Sequence, residues 1–227
     1  MILRPDNPLI VALDVSDLGL AERLAESLAP YVGMVKVGLE LAWAVGPEAV
    51  RRVGRHAPVF VDAKLHDIPN TVERAAANIA RLGVGMVTVH ALGGEAMMRA
   101  ARRGIDRGAS DAGVEPPLVV AVTVLSSHAG EGLAGPASLA FEAMSCGLDG
   151  VVVSGEDVVD ARAVCGDAFR LVVPGIRPAG GNGDDQVRVL TPRAAIEKGA
   201  DHLVVGRPIT DADDPVGVAR AILRDIA

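Results

Sequence analysis

A chain of 227 residues is long enough for one large core and falls within the usual size of a single α/β barrel. A net charge of −7, with no Lys/Arg stripe interleaved with aromatics, argues against nucleic acid as a general partner and leaves an anionic small substrate open, because such a substrate meets only local charge. Hydrophobic residues make up 50% of the chain but aromatics only 2%, so the core has to be built from Val, Leu, Ile and Ala, as in buried parallel strands and the helices that cover them.

The segment Met1-Ile2-Leu3-Arg4-Pro5-Asp6 lacks the basic and hydrophobic regions of a signal peptide, and no apolar run approaches the roughly 20 residues that span a bilayer. A soluble, cytoplasmic protein with no membrane partner is expected. Short apolar runs recur at Leu9 to Leu13, Met34 to Val37, Val59 to Val61 and Met86 to Val89, then at Leu118 to Val124, Val151 to Val153, Leu171 to Val173 and Leu203 to Val205. Helical spacing fills the gaps, as in Leu18-Ala21-Leu24-Ala25-Leu28, and in Val72-Ala75-Ala76-Ile79-Ala80 before a Gly83 stop. Asn70 with Glu73 makes a capping-box pattern, and Thr191-Pro192 and Asp214-Pro215 each supply a cap and a first-turn proline. Cys146 and Cys165 have no His or Cys at metal-ligand spacing and read as buried free thiols. Eight βα units without a linker predict one domain over residues 1–227, an α/β fold of the (β/α)8 TIM-barrel class. A doubly wound open sheet shares the local pattern, but the strand count favours the barrel.

Unusual polar residues fall at the ends of the apolar runs, the face of a barrel where catalytic groups assemble. Asp14 follows the first run, Lys36 lies in the second, Asp62 and Lys64 end the third, His90 ends the fourth, and Thr123 and Ser126 end the fifth. Alternation along a strand puts Asp62 and Lys64 on one face. Lysine occurs only at Lys36, Lys64 and Lys198, and unlike arginine it can release a proton when held beside other charges, which suits acid catalysis. Asp62 between Lys36 and Lys64 makes an alternating array that offsets the cost of gathering charge at one mouth. Asp67 reads locally as a cap for the next helix, and His66 and His90 as structural hydrogen-bonding residues rather than metal ligands.

The last two loops add a second signal: Pro174-Gly175-Ile176-Arg177-Pro178, running on through a glycine-rich stretch to Asp184-Asp185-Gln186, and Gly206-Arg207-Pro208. Loops after strands seven and eight of such barrels often bind phosphate. Glycine lets backbone N–H groups approach an oxyanion, Arg177 and Arg207 can add charge-assisted bonds, and Gln186 an amide donor. The glycine run is also long enough for a lid.

These residues resemble those of the orotidine 5′-monophosphate decarboxylase family almost end to end. The resemblance rests on Val11-Ala12-Leu13-Asp14, Val35-Lys36-Val37-Gly38, Asp62-Ala63-Lys64-Leu65-His66-Asp67-Ile68-Pro69-Asn70-Thr71, Thr123-Val124-Leu125-Ser126-Ser127, Pro174-Gly175-Ile176-Arg177-Pro178, Asp184-Asp185-Gln186 and Val205-Gly206-Arg207-Pro208-Ile209-Thr210. The block D-x-K-x-x-D followed by I-P-N-T is the most specific of them. Leu65 stands where an aromatic is frequent and Ser126 where threonine is frequent; size class and hydroxyl are kept. The resemblance implies cofactor-independent decarboxylation of orotidine 5′-monophosphate, with Lys64 as proton donor and Asp62 beside the substrate carboxylate. It implies that Lys36 holds Asp62 and the ribose hydroxyls, Asp14 the ribose and Ser126 the pyrimidine. Arg177, Gln186, Gly206 and Arg207 would hold the phosphate, with Pro174 at the wall. It also implies a homodimer in which Asp67, Ile68 and Thr71 reach into the neighbouring subunit's site, in place of the helix-cap reading of Asp67.

Metal-dependent sugar-phosphate relatives such as keto-gulonate phosphate decarboxylase share the D-x-K-x-x-D block but place a glutamate, a magnesium ligand, where Lys36 stands. A lysine repels a divalent cation, so Lys36 separates the two readings. A non-catalytic nucleotide-binding barrel would have lost Lys64 or its neighbours, and all are present.

Overall fold

The computed structural model describes residues 7–124, 135–178 and 190–227. Eight parallel strands form a closed barrel in chain order: β1 (Leu9–Ala12), β2 (Met34–Val37), β3 (Val59–Leu65), β4 (Met86–His90), β5 (Leu118–Val122), β6 (Gly150–Val152), β7 (Arg170–Val173) and β8 (His202–Val205). Leu9 pairs with Leu203 and Val11 with Val205, so β8 returns to β1 and no open sheet edge remains. That pairing excludes the doubly wound alternative.

Among the described residues there are ten α-helices rather than one per strand: α1 (Leu18–Leu28), α2 (Leu39–Val45), α3 (Pro47–Val53), α4 (Pro69–Ala80), α5 (Gly94–Ala112), α6 (Pro136–Ser145), α7 (Val158–Cys165), α8 (Pro192–Glu197), α9 (Arg207–Thr210) and α10 (Pro215–Ile226). The extra pair arises after β2, where Gly46 takes φ 78° and Pro47 restarts the chain as α3, and after β8, where the single turn α9 precedes α10. Thr191 and Asp214 cap as expected, accepting from the amides of Ala194 at 3.3 Å and Gly217 at 2.9 Å. The Asn70–Glu73 capping box does not form. Pro69 presets the first helical φ one residue earlier, Ile68 takes the cap position, and Glu73 instead receives Arg103 and Arg107 of α5 at 3.0 and 2.7 Å. The two helices press together there, since a Cβ on Gly104 or Gly108 would fall 2.2 Å from the carbonyl oxygen of Glu73 or Ala77.

Strand alternation divides the core in two. Leu9, Val11, Val35, Val37, Val119 and Val151 face the helices, while Ile10, Ala12, Phe60, Met86, Val120, Val172 and Val204 fill the barrel interior. The interior is thus a packed plug of aliphatic side chains with one phenylalanine, and it forms the floor on which polar groups at the C-terminal ends of the strands stand. Cys146 and Cys165 are buried free thiols, as expected.

Candidate active site

Lys36 is registered between Ala12 and Phe60, both interior residues, so its side chain enters the barrel above the apolar plug. Its Nζ lies 3.0 Å from Asp14 Oδ1 and 3.3 Å from Asp62 Oδ2. Lys64 Nζ reaches the same Asp62 oxygen at 2.6 Å. The alternating charge array expected from the sequence is therefore present within one subunit, and Asp14 joins it through Lys36. Gly38 leaves room for that bond: a Cβ there would stand 2.8 Å from Asp14 Oδ1 and 3.0 Å from Lys36 Nζ.

The route by which Asp62 and Lys64 meet is not simple alternation. β3 does not stop at Val61 but continues to Leu65, and its register against β4 jumps from Val61–Val87 to Leu65–Val89. Three residues, Asp62, Ala63 and Lys64, thus stand opposite Thr88 alone. Within this bulge Lys64 has φ 48°, the one non-glycine residue with positive φ among those described. Thr88 fills the gap in the ladder. Its hydroxyl donates to Asp62 Oδ1 at 2.9 Å and accepts from the Lys64 amide at 2.8 Å, and it is fully buried.

Burial pushes the Asp62 carboxyl toward its neutral form. The charges of Lys36 and Lys64, with hydrogen bonds from Lys64 and Thr88, outweigh that and hold its pKa below the usual aspartate value. An ionised carboxylate therefore persists at a buried position, with both lysines on its Oδ2. At the rim, the His66 and His90 rings stack at 5.2 Å, and burial, followed by the neighbouring His66 and Lys64, pushes the His90 pKa down against the opposing pull of Asp62. Among the described residues no group of His, Cys, Asp or Glu is arranged to hold a metal ion.

Other expected site residues are placed as follows. Gly206 abuts the first strand's loop, its virtual Cβ 3.5 Å from Ala12 Cβ and 3.8 Å from Asp14 Oδ2, so the loops after β8 and β1 adjoin. Arg207 opens α9 and is exposed, and Pro174 is exposed just beyond β7. Arg177 is anchored through its backbone, its N–H donating to Leu190 O at 3.2 Å. Ser126 and Gln186 lie outside the described residues. Asp67, Ile68 and Thr71 are exposed; Asp67 accepts from the Ile68 amide at 2.6 Å and makes no ion pair with either lysine of the array. Lys198, the third lysine, donates to Gly155 O at 3.1 Å and is not part of the array. Thr88 escaped the sequence reading, although a hydroxyl in the middle of the apolar run Met86 to Val89 was its available signal.

Comparison with known proteins gives the family. The family model described as Orotidine 5′-phosphate decarboxylase / HUMPS family matches residues 7–222. The orotidine 5′-phosphate decarboxylase of Moorella thermoacetica is 48% identical over 97% of this chain and 92% of its own length, and that of Anaeromyxobacter dehalogenans is 48% identical over 97% and 98%. Among solved structures, orotidine 5′-phosphate decarboxylase from Lactobacillus acidophilus superposes with a TM-score of 0.84 at 38% identity, covering 97% of this chain and 99% of that one. With a matching family model over nearly its whole length and the charged array at the mouth of the barrel, the chain belongs to the orotidine 5′-phosphate decarboxylase / HUMPS family.

Proposed function

We propose that this chain, as a single (β/α)8 domain, decarboxylates orotidine 5′-monophosphate to uridine 5′-monophosphate in de novo pyrimidine biosynthesis, without metal or organic cofactor. The observation that carries this reading is the pair of ammonium groups, Lys36 and Lys64, on one buried Asp62 carboxylate at 3.3 and 2.6 Å. When the bond from the ring to the carboxylate breaks, CO2 departs and the electron pair stays on the ring carbon. No adjacent carbonyl delocalises that charge, so stabilisation must come from fixed charge near it. Protonated Lys64 opposes the developing carbanion and then transfers its proton to that carbon. Asp62 lies beside the substrate carboxylate and keeps Lys64 aimed. Enzymes lower barriers by about 8–23 kcal/mol, more than a single ion pair supplies, so binding energy from the remote phosphate has to help hold the array in place.

Lys36 and Asp14 would take the ribose hydroxyls, and Arg177, Gly206 and Arg207 the phosphate, with Gln186 on the phosphate, Ser126 on the ring and Pro174 at the wall. Asp67, Ile68 and Thr71 would act in the site of a second subunit. Exposed apolar side chains on the segments after β2, β3 and β4 support a homodimer: Trp43 is 87% exposed, Ile68 65%, Leu39 47% and Leu92 40%. Free buried thiols at Cys146 and Cys165 fit a reducing compartment such as the cytoplasm. The metal-dependent sugar-phosphate chemistry of some relatives is disfavoured by the Lys36 ammonium itself, which fills the space between the Asp14 and Asp62 carboxylates.

The test follows the ultraviolet absorbance of orotidine 5′-monophosphate in EDTA with wild type and Lys64→Ala. Rapid loss with the wild type alone is expected. Loss that requires added magnesium would overturn the metal-free mechanism, and binding without turnover would overturn the enzymatic reading.

A further inference from the structure

We propose that Thr88 is a positioning residue for the decarboxylation, acting through the backbone amide of Lys64 and the carboxylate of Asp62. The inference rests on the proposed role of Lys64 and adds to it the device that aims this lysine. Lys64 and Asp62 are two apart in sequence, and in a regular strand both would project inward roughly 7 Å apart along the chain. They meet at 2.6 Å within a bulge of β3, in which Lys64 takes φ 48°. A left-handed backbone is unfavourable for any residue with a Cβ and persists only where its surroundings over-determine it. The bulge also takes the Lys64 N–H out of the ladder, where a buried donor needs another acceptor.

Thr88 answers both requirements with one atom. It is the single β4 residue opposite the bulge, and its Oγ1 accepts from the Lys64 amide at 2.8 Å while donating to Asp62 Oδ1 at 2.9 Å. The other oxygen of Asp62 takes the two ammonium groups. The hydroxyl thus sets the rotation of the carboxylate about its own axis and the backbone angle from which the Lys64 side chain departs. A hydroxyl is both donor and acceptor, so neither a methyl group nor a pure donor can replace it. With the site fully buried at this point, no bulk water is at hand to substitute. Displacement of a proton donor by about 1 Å can cost on the order of a hundredfold in rate.

The experiment compares Thr88→Ser, Thr88→Val and Thr88→Cys with the wild type, measuring kcat, KM and the affinity for uridine 5′-monophosphate, with Lys64→Ala in parallel. The serine variant keeps the hydroxyl and is expected to retain kcat within about threefold. Valine keeps the shape of threonine and cysteine that of serine, but neither carries a competent hydroxyl, and both should lower kcat tenfold or more while nucleotide affinity changes less than threefold. Should the valine variant fail to fold, the serine and cysteine pair, equal in shape, gives the same comparison. Equal kcat in serine and cysteine variants, or a loss confined to affinity, would overturn the positioning role. Full turnover by Lys64→Ala would instead overturn the assignment of the proton donor, an outcome recognisable whatever the Thr88 variants do.

Discussion

The ammonium of Lys64 lies 2.6 Å from Asp62 Oδ2, two residues back along the same strand, and β3 bulges against β4 between them. A charged pair built within the seven residues of one strand does not depend on domain closure for its contact. The partners that tune it come from the adjacent strands, Lys36 from β2 and Thr88 from β4.

Lys36→Gln should move the acid limb of the kcat profile to higher pH. Burial raises the Asp62 pKa and Lys36 supplies the largest opposing charge, so its removal brings the carboxyl back up and activity that needs ionised Asp62 disappears sooner as pH falls. A pH–rate profile with kcat at saturating substrate checks this; an unmoved limb would show that Asp62 does not depend on Lys36.

Gly38→Ala should weaken nucleotide binding without unfolding the barrel. The added methyl would sit 2.8 Å from Asp14 Oδ1 and 3.0 Å from Lys36 Nζ, and the half-exposed Asp14 is the partner free to swing away. Calorimetric titration with uridine 5′-monophosphate should show roughly a tenfold loss, equal to about 1.4 kcal/mol.

Arg207→Ala should lower turnover as well as affinity, because binding energy at a remote phosphate is used to hold the reacting groups in place. Steady-state kinetics separates the two effects. A raised KM with kcat unchanged would contradict the expectation.

Arg162→Ala tests the opposite end of the barrel. Arg162 Nη2 pairs with Asp201 at 2.6 Å, and Asp201, 3% exposed, also accepts from the Leu171 amide at 2.8 Å. Removing the arginine breaks a charge-assisted bond and leaves the buried Asp201 with the longer 3.7 Å contact to Arg170, which costs about 1.5–3 kcal/mol and should lower Tm by roughly 5 °C, with kcat unaltered at a temperature where the variant is folded. Differential scanning calorimetry beside an activity assay checks both.

His202, buried inside β8, has its pKa pushed down to about 4 by burial and by Arg170, against the pull of Asp201. The folded state therefore keeps it neutral while the unfolded chain, near 6.5, takes up a proton. Its contribution to stability is whole above pH 6.5 and falls by roughly 3 kcal/mol as pH drops from 6.5 to about 4. His202→Gln should flatten that part of the stability profile measured by urea unfolding between pH 7 and pH 4.

The barrel and the charged array at its mouth were legible in the sequence for local reasons. Apolar runs of three to seven residues set off by helical periodicity marked all eight strands, Thr191 and Asp214 announced their caps through Pro192 and Pro215, and charges at the ends of those runs marked the mouth where the array stands. Other features depended on partners distant in the chain. Glu73 has a capping-box position by spacing, yet Pro69 starts α4 one residue earlier and Glu73 pairs instead with Arg103 and Arg107 on α5. Alternation alone leaves Asp62 and Lys64 on one face but apart. The left-handed turn at Lys64 and the hydrogen bonds of Thr88 were decided only when β3 met β4, because a bulge is a mismatch between two strands and neither strand carries it by itself.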